Sequence, residues 1–266
     1  MGLPQTLRVF IAGSSGSGKS TAAWRFYLEK YPRRILLDFT GEWANNADAV
    51  VYSVHELSAK MRQLAPRGRW TISAALDGED DIAELVDYLI PVPHLERSPI
   101  RQLGGAVLLV DEVDLIAPPH TARREVRTLW RRSRHVGLSI VATTQRPESV
   151  SREVSAQSQH VLCLQLIEPA ALEYMSKIMR VDLSGLPAWW KQNPHGGLWR
   201  DVMAGRSLWL SEDGQFRAPS GPAELSDPDR RLPGSVAKNA AELNEDEDED
   251  DIDDDGPDGL EAGGIP

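Results

Sequence analysis

The chain has 266 residues, 41% of them apolar and 26% charged, enough for one α/β domain of ordinary size with a tail to spare. No stretch reaches the ~18 apolar residues of a membrane helix, Met1 to Thr6 lacks a basic then apolar leader, and the single Cys163 excludes an internal disulfide, so a cytoplasmic protein with no membrane insertion of its own is expected. The formal net charge of −11 belongs to one end: residues 242–266 hold 13 of the 40 acidic side chains and no basic one, and the other 27 acids against 29 bases leave residues 1–241 at +2.

Gly2 with Thr6 loosely fits a myristoylation signal, against which the immediate start of a first strand argues. That strand is the apolar run Leu7 to Ala12. It leads into Gly13-Ser14-Ser15-Gly16-Ser17-Gly18-Lys19-Ser20, and a helix is expected from Lys19 to Tyr31, starting through Thr21. Strand, glycine-rich loop and helix in this order form a phosphate cradle: backbone N–H groups turn inward and the helix N-terminus adds partial positive charge. Lys19 would reach the β- and γ-phosphates of ATP, and Ser20 would ligate Mg²⁺.

Farther along, strands are expected at Arg34 to Asp38, Val50 to Val54, Trp70 to Leu76, Ala106 to Val110, Leu138 to Thr143 and His160 to Leu166. Helices are expected at His55 to Leu64, Asp80 to Ile90, Thr121 to His135 and Pro169 to Met179. Alternating strands and helices mean an α/β fold with a mostly parallel sheet flanked by helices. Its ligands sit at the carboxyl ends of the strands, where Gly13 and Asp111 both fall. A hairpin is expected from Leu208 to Gln215 about the Asp213-Gly214 turn. Cys163 reads as a small buried hydrophobe. From about Pro222 the density of like charge predicts disorder, which divides the chain into a folded domain at 1–221 and an acidic tail at 222–266.

Two strand tips carry chemistry. Asp111 after the apolar run Ala106 to Val110 suits a metal acid beside Ser20; Glu112 next to it can deprotonate water for attack on the γ-phosphate, which points to hydrolysis. Asp114 reads as a cap or solvated acid. Gln145, ending the strand Leu138 to Thr143, offers a donor and an acceptor with which to sense the γ-phosphate or its attacking water, and Arg146 beside it could read phosphate or a neighbouring subunit.

Gly13 to Ser20, Leu109 to Glu112 and Thr143 to Pro147, with Arg132 to Leu138 ahead of the last, resemble the HerA/FtsK superfamily of DNA-translocating ATPases. Asp38-Phe39-Thr40-Gly41-Glu42-Trp43 is similar to the Asp-x-x-Gly-Glu-Tyr stretch of HerA-type members, with Trp for Tyr, and the resemblance spans roughly residues 5–220. It implies a RecA-like P-loop NTPase with the Gln145 strand between the Gly13 and Asp111 strands, a hexameric homo-oligomer, and dsDNA in the ring channel. Lys19, Ser20, Asp111, Glu112 and Gln145 take the roles given above. An arginine finger from a neighbour would be Arg134, or secondarily Arg131; Arg123, Arg127, Arg131 and Arg134 recur at helical spacing, a pattern that a plain solvated basic face also explains. With the phosphate loop at residue 13, neither the preceding barrel of HerA nor the membrane helices of FtsK is expected. The bare motor most resembles genome-packaging ATPases of tailless membrane-containing dsDNA viruses, for which capsid or vertex proteins are partners; conjugative or plasmid DNA transfer and a stand-alone HerA-like motor are the alternatives. A kinase would leave Glu112 without a purpose, a GTPase would need an Asn-Lys-x-Asp motif that is absent, and a regulatory ATP-binding protein without translocation stays open. Arg97 and Arg101 are candidate DNA contacts, Trp189, Trp190 and Trp199 are expected to pack the C-terminal hairpin on the core, and the acidic tail reads as a solubiliser, a DNA mimic or a docking peptide.

Overall fold

Continuous apolar strands need covering on both faces, and in the computed structural model, which describes residues 6–76, 78–119, 123–211 and 215–217, they obtain it. Ten strands form one sheet. In chain order the elements are β1 (Arg8–Ala12), α1 (Lys19–Phe26), β2 (Arg33–Leu37), β3 (Ala49–Val51), α2 (Val54–Leu64), β4 (Trp70–Ala74), α3 (Glu79–Leu89), α4 (Pro99–Gln102), β5 (Ala106–Val110), α5 (Arg124–Val136), β6 (Leu138–Thr144), α6 (Arg152–Ala156), β7 (His160–Cys163), α7 (Pro169–Met179), α8 (Leu186–Trp190), β8 (Gly197–Asp201), β9 (Arg206–Leu210) and β10 (Phe216–Arg217). The sheet order is β10-β9-β8-β7-β1-β6-β5-β2-β4-β3. From β7 to β3 every neighbouring pair is parallel, and β8, β9 and β10 add an antiparallel meander to the β7 edge. β6 lies between β1 and β5, so the tips bearing Gly13, Gln145 and Asp111 are adjacent, as the resemblance implied.

The period of two along each strand splits the core. Phe10, Ile35, Leu108 and Ile140 face one side, where Leu57, Leu85, Trp130 and Met175 of α2, α3, α5 and α7 pack on them. Val9, Ile11, Leu109 and Val141 face the other, under Ala22 and Ala23 of α1, with Trp43, Trp199 and Leu210. Cys163 is fully buried, which pushes its thiol pKa up, as befits a small core hydrophobe.

Several boundaries differ from expectation. The helix expected to reach Tyr31 stops at Phe26: Tyr27 leaves helical geometry (φ −126°) and turns its ring inward, where its hydroxyl accepts the Trp199 indole N–H at 3.0 Å. The third strand ends at Val51 because Ser53 caps α2, its hydroxyl accepting from Glu56 N (3.2 Å) while the Glu56 carboxylate accepts from Tyr52 N (2.9 Å). The fourth ends at Ala74. The seventh ends at Cys163, beyond which Leu164 N donates to Ala12 O and Gln165 O accepts from Ser14 N of the phosphate loop. The helix expected from Thr121 begins at Arg124, with residues 120–122 outside the described ones. β9 and β10 form the expected hairpin, whose Asp213-Gly214 turn lies outside the described residues, as does the acidic tail. Trp189 packs on Trp209 (centroids 4.9 Å apart), and Trp190 and Trp199 are buried, so these rings pack the C-terminal strands on the core. No described helix is long and apolar enough to cross a membrane.

Candidate active site

The turn from β1 into α1 is shaped by its glycines. Gly16 and Gly18 hold positive φ (74° and 93°), which side chains disfavour, and Gly13 packs so closely that a Cβ would overlap Ser17 and Leu164. Gly13 N donates to Thr144 O (3.1 Å) and Ser14 N to Gln165 O (2.7 Å), so these two amides tie the loop to the sheet instead of facing a phosphate. Ser17 is buried in the loop's base. Ser15, Gly16, Gly18, Lys19, Ser20 and Thr21 line a cavity of about 340 Å³ at the carboxyl edge of the sheet. Of the nine loop residues expected to hold nucleotide, these six line the cavity, and Gly13, Ser14 and Ser17 build the cradle from behind.

Asp111, Glu112 and Gln145 line the same cavity, together with Thr40 and Glu42 from the turn after β2. Asp111 is buried, accepting from the Thr143 hydroxyl and from Trp43 Nε1 (3.0 Å). Glu112 adopts left-handed backbone geometry (φ 50°), costly for a side-chain-bearing residue and typical of residues held in place for function. Its carboxylate accepts from Gln145 Nε2 at 2.6 Å and from Gln145 N at 3.3 Å. Partial burial pushes the Glu112 pKa up, opposed by the Gln145 hydrogen bond and by Lys19. Lys19 is pushed down by burial, while Glu112, Asp111, Glu42 and Asp114 oppose that shift; its Nζ donates to Ser14 O (3.2 Å). Asp114, expected as a cap or solvated acid, accepts from the Thr144 hydroxyl (2.7 Å) and braces the β6 tip.

One lysine among four carboxylates leaves the site rich in negative charge, which a divalent cation would balance. Among the described residues no group of three or more His, Cys, Asp or Glu side chains could hold a metal ion by itself. A hydroxyl (Ser20) and a carboxylate (Asp111) beside a phosphate cradle fit Mg²⁺, which takes few protein ligands and fills its octahedron with water and phosphate oxygens.

The candidate arginine finger does not reach this cavity within its own chain. Arg134 is exposed at the last turn of α5, ahead of β6, and therefore lies at the opposite edge of the sheet, on the order of 20 Å from the Thr144 tip by strand rise. Arg127, Arg131 and Arg134 share the exposed side of α5, as their spacing predicted; Arg131 is held by Glu153 through two 2.8 Å bonds, and Arg123 pairs with Glu79. Arg97 and Arg101 sit just before β5 at that same far edge. Sequence reasoning gave no role to Trp43 or Thr143, nor to a second depression of about 360 Å³ behind the phosphate loop, lined by Gly16, Thr21, Arg25, Phe26, His195 and Leu210 among others.

A family model described as Zonular occludens toxin (Zot) matches residues 8–166. Similar solved structures include the genome packaging NTPase B204 from Sulfolobus turreted icosahedral virus 2 in complex with AMPPCP (TM-score 0.61, 16% identity, 77% of this chain and 96% of that one). The same NTPase in complex with AMP gives a TM-score of 0.60 at 16% identity over 80% of this chain and 98% of that one. VirB4 of Thermoanaerobacter pseudethanolicus gives 0.51 at 15% identity over 82% and 91%. No curated protein matches the chain in sequence. At these identities the likeness is one of fold: a mostly parallel sheet with flanking helices, as in those P-loop NTPases.

Proposed function

The chain belongs to the zonular occludens toxin (Zot) family, and from that premise we propose that it is an ATPase whose hydrolysis of ATP drives movement of double-stranded DNA, as a viral genome-packaging motor working in a hexameric ring. The observation that carries the reading is the pairing of Glu112 with Gln145 over a cavity that also holds Lys19, Ser20 and Asp111. The loop amides and Lys19 hold the phosphates, Ser20 and Asp111 hold Mg²⁺, which when bound neutralises phosphate charge, and Glu112 takes the proton of the attacking water. Gln145, bonded to the base by side chain and backbone alike, reports at the tip of the central strand whether the γ-phosphate is present. The depression beside Thr21 and Arg25 accepts the nucleoside end. Arg134 serves a neighbouring subunit's nucleotide, its distance from its own cavity requiring such a neighbour. The fold likeness to B204, a genome packaging NTPase, supports the packaging role, with capsid or vertex proteins as partners in the host cytoplasm or the virion.

ATP turnover measured with and without long dsDNA, alongside the mass in solution with nucleotide bound, tests this. Stimulation by dsDNA and a ring-sized assembly are expected. Turnover indifferent to DNA in a monomer would leave a regulatory ATP-binding protein as the better reading.

A further inference from the structure

The turn after β2 is organised around a buried carboxylate. Asp38 accepts from Gly41 N (2.8 Å), Trp43 N (3.0 Å) and the Ser73 hydroxyl of β4 (3.0 Å), and Gly41 closes the turn at φ 77°. This folding carries the Trp43 indole inward to 3% exposure, where it stacks on Trp24 of α1 with centroids 6.0 Å apart and planes at 23°. The guanidinium of Arg34, on β2, lies 5.3 Å from the Trp24 ring. Only the edge of the indole is polar, and Nε1 donates to Asp111 Oδ2 at 3.0 Å. An indole N–H has no acceptor capacity, so the bond runs one way, from Trp43 into Asp111.

The other oxygen of Asp111 accepts from Thr143, whose hydroxyl also accepts from Glu112 N (3.3 Å). The carboxylate plane is thus fixed from two sides, by β6 and by the turn after β2, with a lone pair left on each oxygen. We propose that Trp43 is a positioning residue of the nucleotide site: its N–H orients the metal acid Asp111, and its stack on Trp24 ties that acid to the helix that follows the phosphate loop. Ser20, on the first turn of α1, and Asp111, just after β5, belong to different elements; the Trp24–Trp43 stack joins them across the site, in addition to the sheet pairing of β1, β6 and β5. Loss of such an outer partner lowers metal affinity or activity by about 10–100-fold.

The inference rests on the ATPase reading. Trp43→Phe keeps an aromatic ring beside Trp24 and removes the donor together with one ring of buried volume, a loss of volume that Trp24→Phe reproduces with the hydrogen bond intact. Titration calorimetry of the full chain with ATP, with and without Mg²⁺, is compared with the Mg²⁺ dependence of turnover. Expected for Trp43→Phe is metal-free ATP affinity within about twofold of wild type, at least tenfold less tightening of ATP by Mg²⁺, and a tenfold or greater rise in the Mg²⁺ needed for half-maximal turnover. Trp24→Phe, which alters the stack but spares the hydrogen bond, should shift Mg²⁺ dependence less, and thermal melting identifies folded variants. Wild-type Mg²⁺ dependence in folded Trp43→Phe, or an equal shift in Trp24→Phe, overturns the role of the indole N–H while leaving the ATPase reading intact. A wild-type chain that binds no ATP overturns both.

Discussion

Glu112 holds its place through strain, burial and one short hydrogen bond, and each has a measurable consequence. Glu112→Gln keeps the shape and the backbone turn but cannot accept a proton, so ATP binding should persist while turnover falls at least about 100-fold, the scale of a lost general base. Binding calorimetry and phosphate release check the two halves; normal turnover would remove Glu112 from the role. Because burial raises its pKa, the base ionises at higher pH than an ordinary glutamate, and kcat/KM should decline on the acid side earlier than for an unperturbed carboxylate. The Gln145 hydrogen bond acts in the opposite sense by favouring the ionised form. Gln145→Ala should therefore move that acid limb to still higher pH, besides lowering kcat. A pH profile of kcat/KM decides this, and a limb that stays or moves down contradicts the pairing as a determinant of the base. Lys19 was legible from the glycine-rich loop, and Asp111, Glu112 and Gln145 as residue types at strand tips. Trp43 was legible as the end of the Asp38 to Trp43 stretch but its role was not, since its partner Asp111 is 68 positions away and the contact exists only once β2 and β5 pair.

At the scale of elements, the parallel strands were legible because burial on both faces demands uninterrupted apolar residues, as in Ala106 to Val110. α7 was legible to the residue, opened by Pro169 at its first position and closed after Met179 by Arg180 in left-handed geometry. β8 was not: Gly197 to Asp201 contains Arg200, and pairing with β7 and β9, with the Arg200–Ser207 hydrogen bond (2.9 Å), makes a strand of it. α6 and α8, five residues each, are too short for a periodicity to register. The Ser53–Glu56 pair, in contrast, is a capping signal visible in the sequence, and it ends the third strand short of the expected Val54. It makes a prediction proper to this scale. Ser53→Ala deletes the cap of α2, which packs on the sheet face away from α1, and should cost about 1 kcal/mol in denaturant unfolding with ATP affinity unchanged. A loss of ATP affinity as well would mean that α2 supports the phosphate loop more directly than the separate packing of the two faces implies.

For the whole molecule the governing quantity is where the charge sits. Residues 222–266 carry 16 acidic and three basic side chains, so a chain ending at Gly221 would pass from −11 to +2. A field of that size acts on DNA without any particular contact, since like charge lowers the local concentration of a polyanion. It acts only within the Debye length, about 10 Å at 0.1 M salt and 30 Å at 0.01 M. If the segment keeps DNA from the arginines at the far edge of the sheet, Arg97, Arg101 and Arg134 among them, the shortened chain should bind dsDNA more tightly at 0.01 M salt, with the gap closing as salt rises past about 0.1 M. Fluorescence anisotropy with a dsDNA probe across that salt range measures it. Equal affinities at low salt would rule out competition with DNA. The remaining consequence of the charge would then be colloidal, because a protein near neutrality self-associates more readily than one at −11. Turbidity of the two chains at matched concentration reads that second effect independently of DNA, so the two accounts of the acidic segment separate within one pair of proteins.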